Sequence, residues 1–336
     1  MKRGQLLLGI VGILLSAAAV FVLLRQVSAH ELARNLRRAN VAWLIAGCAT
    51  TLLSYWLRAV RWGEILLPEA RVPPGRLFSA TMVGFLAINT LPARLGELVR
   101  AYTLARMERL RTTTVLGSVV IERIFDLVAL AGFWALSLLF APYPAWFRWS
   151  GYLTIGLSLI ATGVLWLLHS AHYHPGSRAA RFLQLIPARL FAPLERPVAS
   201  FTAGLRVFGR PNSLLSAGAT TVAMWLVSGS VFLMTAKSLG LNLPLWSPFL
   251  LAFIVCVAIM VPSSPGFIGV LEGSCVVGLA LLGVDASRAL AYGVLYHITQ
   301  VVPVVLVGGA YAIFGHIGMR LEPAVEGQIE EGRRKE

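Results

Sequence analysis

Three groups of residues in this chain could do chemistry, and each falls where the surrounding hydropathy calls for membrane. The first lies in Ile88-Asn-Thr-Leu-Pro-Ala-Arg-Leu-Gly-Glu-Leu-Val-Arg-Ala-Tyr102, which carries Arg94, Gly96, Glu97 and Arg100. The second is Glu122-Arg-Ile-Phe-Asp126. The third is Met260-Val-Pro-Ser-Ser-Pro-Gly-Phe-Ile-Gly-Val-Leu-Glu272, with His297 downstream. Guanidinium groups beside the free N–H groups of a helix start attract phosphate or another anion, because amides and helix dipole both favour negative charge there. Carboxylates or an imidazole in the same polar cavity can bind a coupling ion or carry protons, which makes Glu97, Glu122, Asp126, Glu272 and His297 candidates. A charge at the bilayer centre costs about 2.5–3.5 kcal/mol, so none of these groups should face lipid.

Each group also has a structural reading. Arg123 can pair with Asp126 at i+3 while Glu122 and Asp126 share a face at i+4. Arg123 with Glu97 or Glu272 would then clamp a span to a hairpin. Arg94 and Arg100 could snorkel to the cytoplasmic surface, Arg100 more readily. Arg58 and Arg61 read as interfacial anchors, with a lipid-phosphate contact on the cytoplasmic side as the rival reading. Pro265 and Gly266 could simply kink an ordinary span.

Two broken elements must position these residues. Residues 77–91 are apolar for about 15 residues, roughly 22 Å as helix, short of a hydrocarbon core about 30 Å thick. Pro92 follows, and Pro is favoured at the first position of a helix. The sequence therefore predicts a half-helix ending near Asn89 and Thr90, a second opening at Pro92, and a re-entrant hairpin over about 76–104. The spacing Pro92 to Gly96 recurs at Pro265 to Gly269, where Ser264 would cap and Pro265 would open another half-helix.

A formal charge of +14, from 29 basic and 15 acidic residues, is compatible with nucleic acid or an anionic membrane surface. Hydropathy decides for membrane: 57% of residues are hydrophobic and only 13% charged, with mean hydropathy +0.75. No nucleic-acid module is expected as a partner. Cys48, Cys256 and Cys275 sit in apolar segments without metal-ligand spacing and read as buried thiols. His169, His172 and His174 make a weak metal cluster at a membrane edge, so no cofactor is expected. The only aspartates are Asp126 and Asp285. The sequence has no Walker loop and no Gly-x-Ser-x-Gly, and the polar segments offer no room for a soluble catalytic domain, so an enzyme is not expected.

In chain order, the apolar run to Leu24 is long enough for an uncleaved span rather than a signal peptide. An amphipathic surface helix over 26–40 follows, then a span from Trp43 to about Leu57 ending in Leu57-Arg-Ala-Val-Arg-Trp62. Beyond the first hairpin come spans at about 113–140 and 151–169, a basic cytoplasmic loop at 170–212, spans at about 213–236 and 247–262, the second hairpin to about 282, and a span at about 289–315. The fold class is thus an all-α integral membrane protein of about six full spans and two broken hairpins. The single domain covers 1–316, with repeat one at about 41–140, repeat two at about 213–315, and a charged tail at 317–336. Placing the N-terminus inside puts 21 Lys and Arg in the cytoplasm and 7 opposite, so both termini are cytoplasmic. That topology inverts one hairpin relative to the other. Glu122 to Asp126 then falls on Tyr296 to Gln300, an inverted-repeat transporter design.

Taken in order, Leu57-Arg-x-x-Arg-Trp62, Asn89-Thr-Leu-Pro-x-Arg-x-Gly-Glu97, the span with Glu122, Arg123 and Asp126, and Pro262-x-x-Pro-Gly-x-x-Gly269 with Glu272 resemble the lysylphosphatidylglycerol synthase transmembrane, or flippase-like, family over about 5–315. The resemblance implies movement of a lipid across the membrane. Synthase activity, which in that family belongs to a cytosolic aminoacyl-transferase domain, is not expected here. It also implies as partners an anionic phospholipid, a polyprenyl-phosphate-linked lipid or a hopanoid-type lipid, and a separate synthase or glycosyltransferase; an oligomer is compatible with the chain. The expected function is a lipid translocase of the cell inner membrane. In the site Arg94, Gly96, Glu97, Arg100, Glu122, Arg123, Asp126, Ser264, Pro265, Gly266, Glu272 and His297 would meet the headgroup or balance its charge. The rival is a non-transporting subunit that docks a glycosyltransferase or lipid-modifying enzyme through the basic loop.

Overall fold

The computed structural model describes residues 27–91, 95–173, 210–260 and 263–318, with Ser16, Phe21 and Arg25 ahead of them. Most of the expected first span, Pro92, Arg94, most of the basic loop and nearly all of the tail lie outside the described residues. Within them every regular element is helical. The order is α1 Ala29–Arg37, α2 Val41–Leu66, α3 Pro74–Thr90, α4 Gly96–Glu108, α5 Thr112–Ser137, α6 Ala145–Tyr173, α7 Pro211–Ser238, α8 Ser247–Met260, a 3₁₀ turn Pro265–Phe267, α9 Val270–Ala280 and α10 Ala286–Gly318.

Three of these helices are long and apolar enough to cross a membrane: Val41–Leu66, Pro211–Ser238 and Ala286–Phe314. Large apolar side chains stand exposed on their outer faces, among them Ile45, Leu53, Val222, Leu226 and Leu306, where lipid rather than water suits them. α5 matches them in length at 26 residues but carries Glu122, Arg123 and Asp126 in its middle.

α1 is amphipathic and buries none of its residues. It rests on the start of α10, where the Asn35 amide donates to the Ser287 hydroxyl at 3.3 Å. Asn40 then caps α2, accepting from the Ala42 N–H at 3.0 Å. The Asn40 N–H donates to the Ser238 carbonyl at 2.8 Å, which ties the start of α2 to the end of α7, its main packing partner.

The first broken element is a tight hairpin of α3 and α4. Its legs approach backbone to backbone at Gly84 and Gly96, where a Cβ on Gly96 would collide with the Gly84 carbonyl and with Ile88. Ala59, Trp62, Leu77, Ala101, Leu104 and Val115 form the core between this hairpin, α2 and α5. A second core joins α7, α8, α9 and α10 around Phe232, Leu251, Cys275 and Tyr292, and the Tyr292 hydroxyl donates to the Phe232 carbonyl at 2.8 Å.

Of the boundaries that differ from the sequence reading, two bear on the site. α2 runs on from the expected end near Leu57 to Leu66, because the arginines that read as its membrane exit are neutralised inside the protein. α9 begins at Val270 rather than Pro265. Gly266 and Gly269 take φ of 71° and 84°, left-handed values that suit glycine and interrupt a right-handed helix. Pro265 opens only the 3₁₀ turn, and the Ser264 side chain makes no cap bond.

Candidate functional site

α5 supplies the centre of the site. Glu122 and Asp126, one turn apart, look toward α2 and α4, and each carboxylate is held by arginine on both oxygens. Asp126 Oδ1 takes Arg61 Nη1 at 2.7 Å, while Oδ2 takes Arg58 Nη1 at 3.1 Å and Arg123 Nη1 at 3.3 Å. Glu122 Oε1 takes Arg61 Nη2 at 3.3 Å, and Oε2 takes Arg100 Nη1 at 2.5 Å. Arg61 Nη1 also donates to the Thr221 hydroxyl of α7 at 3.3 Å. The Arg100 guanidinium lies 3.8 Å over the Trp62 ring, a cation–π contact strengthened by burial. Trp62 is fixed in turn by its indole N–H on the Ser118 hydroxyl at 2.9 Å.

The cluster has a closed side and an open side. The side chains of Arg61 and Glu122 are fully buried and that of Arg100 is 2% exposed, whereas Arg123 and Glu97 are 36% and 29% exposed and face each other at 3.6 Å. Four arginines therefore meet three carboxylates, a formal surplus of one positive charge. Donors are in surplus as well: Nε of Arg61, Nε and Nη2 of Arg100, and Nε of Arg123 are buried without a hydrogen-bond partner among the described residues. Buried N–H groups of charged side chains are costly to leave unpaired, so this corner is suited to an acceptor-rich anion.

The second hairpin is built differently. Glu272 Oε2 accepts the Gly269 N–H at 2.7 Å, the glutamate half of a capping box at the first turn of α9, where the glycine N-cap supplies no side chain. Its other oxygen, Oε1, lies 2.6 Å from Nδ1 of His297 on α10. Gly293 makes room for this approach, since a Cβ there would lie 2.9 Å from Glu272 Cα. The turn ahead of α9 reaches the first hairpin: a methyl on Gly266 would sit 3.6 Å from the Asn89 carbonyl, at the end of α3. The Ser264 N–H donates to the Ser16 hydroxyl at 3.0 Å.

The structure thus gathers Arg58, Arg61, Glu97, Arg100, Glu122, Arg123 and Asp126 in one place, and Glu272 with His297 in another. Arg58 and Arg61, read as interfacial anchors, lie instead within α2 against α5, and Arg100 is buried rather than snorkelling. Their spacing on one helix face, matched to Glu122 and Asp126 on the next, is what neutralises them. Of the two clamps considered for Arg123, Glu97 is the partner and Glu272 is engaged by His297. Gly96 is the first residue of α4 and serves the close crossing. Ser264, Pro265 and Gly266 form the turn that meets Asn89 rather than a helix start. Arg94 lies outside the described residues. Thr221 and Ser118 carried no signal in the sequence, where each is one small hydroxyl residue in an apolar helix.

Residues 9–308 match the family described as the lysylphosphatidylglycerol synthase TM region. The chain is 25% identical to the glycosyltransferase AglD of Haloferax volcanii, over 96% of this chain and 56% of that protein. It is 26% identical to the UPF0104 membrane protein MJ1078 of Methanocaldococcus jannaschii, over 66% of this chain and 91% of that protein. The chain therefore spans little more than half the length of the first relative.

Proposed function

The chain belongs to the lysylphosphatidylglycerol synthase transmembrane-region family, and from that premise we propose that it is a lipid translocase for an anionic, phosphate-bearing lipid. The observation that carries the reading is the cluster's formal surplus of one positive charge, with its open edge at Arg123 and Glu97. A headgroup phosphate offers several acceptor oxygens to arginine donors, and a guanidinium binds phosphate in a fork. The lipid's tails stay in the bilayer while its phosphate enters at Arg123, displaces Glu97 and meets Arg58. Glu122 and Asp126 hold the arginines in place before the lipid arrives.

This reading takes the fold as about six full spans plus two re-entrant hairpins in an inverted repeat, one polytopic domain over 1–316 in the cell inner membrane. Both termini, the basic loop at 170–212 and the tail at 317–336 face the cytoplasm. The protein reconstituted into vesicles of phosphatidylethanolamine and phosphatidylglycerol should move fluorescent phosphatidylglycerol between leaflets, and Arg123→Ala should slow this at least tenfold. Equal rates in the variant and the wild type would overturn the assignment of the site.

One finding favours a second reading. A relative named a glycosyltransferase extends well beyond the region matched here. In that reading the present chain is a membrane subunit that docks a separate glycosyltransferase through the basic loop and moves no lipid itself. Movement of lipid by the purified chain alone excludes it.

A further inference from the structure

The carboxylates of this protein differ in whether they can exchange a proton. Glu122 and Asp126 are held by arginines on every oxygen, and arginine keeps its charge at any physiological pH. Their state is fixed. Glu272 has as its charged partner a histidine, His297, and its second oxygen is committed to a backbone N–H. Histidine is the side chain whose ordinary titration falls between pH 5 and 8. The side chains of both Glu272 and His297 are 12% exposed, buried enough to feel each other strongly. The titratable group that acts on Glu272 from α9 is Cys275, with Tyr292 and Tyr296 of α10 beside that thiol, and Cys256 of α8 and Tyr55 of α2 beside Tyr296. Thiols and phenols ordinarily titrate at about 8.5 and 10, above the range of the imidazole.

We propose that the Glu272–His297 pair is a proton-binding site that couples proton movement to the headgroup site, an inference that rests on the translocase reading. In the unprotonated state Nδ1–H donates to Glu272 Oε1, Nε2 carries no proton, and the pair carries one negative charge. A proton from the aqueous phase adds to Nε2, and the pair becomes neutral overall. No other bond changes. A proton and a lipid of charge −1 then cross together without net charge, which suits a low-dielectric path.

The link between the sites is the turn between Ser264 and Gly269. Glu272 holds the Gly269 N–H, so a change in the charge of the pair acts on the first turn of α9 and the residues ahead of it. Those residues are already in unusual backbone conformations: Phe267 has φ 59°, with Gly266 and Gly269 also left-handed. Non-glycine residues are disfavoured in that region and persist there where surrounding contacts hold them. Gly266 in turn abuts the Asn89 carbonyl at the end of α3, the leg that crosses α4 at Gly84 and so sets the position of Arg100.

Two measurements test the proposal. In vesicles of phosphatidylethanolamine and phosphatidylglycerol, an imposed gradient of two pH units should shift fluorescent phosphatidylglycerol between leaflets by up to about 100-fold at one proton per lipid. The shift should vanish in His297→Gln and in His297→Lys, which leaves a permanent cation beside Glu272. Lipid exchange in the wild type that ignores the gradient, or a shift that survives in either variant, overturns the coupling and leaves the translocase reading standing. The absence of any lipid exchange in the wild type counts against the translocase reading instead. The proton site is then read from backbone hydrogen exchange over 264–273, corrected for the intrinsic effect of pH. Protection that changes between pH 5.5 and 7.5 in the wild type and not in His297→Gln supports the site, and protection equal at both pH values in the wild type overturns it.

Discussion

The two broken hairpins differ in their charges. In the first, every ionic partner is an arginine, and the closed side of the cluster is sealed by Trp62, Ser118 and Thr221. In the second there is one carboxylate, one imidazole and a turn shaped by glycine. The first arrangement cannot change its charge at physiological pH and can only exchange one anion for another. The second pairs one carboxylate with one imidazole, which on the proposed reading takes up a proton. On the proposed reading an anion site and a proton site are separated on two elements, which meet where Gly266 faces the Asn89 carbonyl.

If the arginine cluster between α2, α4 and α5 is preset, removing a fully buried member should be costly, because its partners remain buried and unpaired. Arg61→Met is expected to cost about 3–5 kcal/mol, seen as a large fall in the melting temperature of purified protein or loss of folded material. A variant as stable as the wild type would show that the cluster is wet and loosely held. Next in size is Gly96→Ala, where a methyl group runs into the opposing backbone; about 1–3 kcal/mol is expected. Gly266→Ala has room for its methyl but keeps φ at 71°, so it should cost about 1–2 kcal/mol. Ala substitution thus separates a close approach in one hairpin from a backbone requirement in the other. Smallest is His297→Gln, which keeps a hydrogen bond available to Glu272 and should cost at most about 0.5–1.5 kcal/mol, while removing the pH dependence of the turn.

Much of this was legible in the sequence. Pro92 after a run of apolar residues too short to cross a membrane, and the repeat of its spacing at Pro265, identified both breaks. The pairing of Arg123 with Asp126 followed from helix geometry. What misled was local rule against tertiary context. Arg58 and Arg61 beside Trp62 have the composition of a membrane interface, and only the neighbouring helix reveals that Glu122 and Asp126 receive them inside. Likewise Ser264-Pro265 has the form of a helix start, yet the left-handed glycines move the start to Val270. Gly269 and Glu272, three residues apart, were the signature of that later start. The bond from Glu272 to His297 spans 25 positions, beyond any periodicity a single helix can display.

The central claim, that the arginine corner of the first hairpin holds an anionic headgroup, is tested most directly by mass spectrometry of the lipids that copurify with the wild type and with Arg123→Ala, each compared with the bulk membrane. Arg123 is half-buried at the open edge of the cluster, so its loss should leave the fold largely intact, as a melting curve can verify. The account predicts one phosphate-bearing lipid class enriched on the wild type and reduced to bulk proportion on the variant. Bulk proportions on both proteins would contradict it, and would make the cluster a brace between α2, α4 and α5.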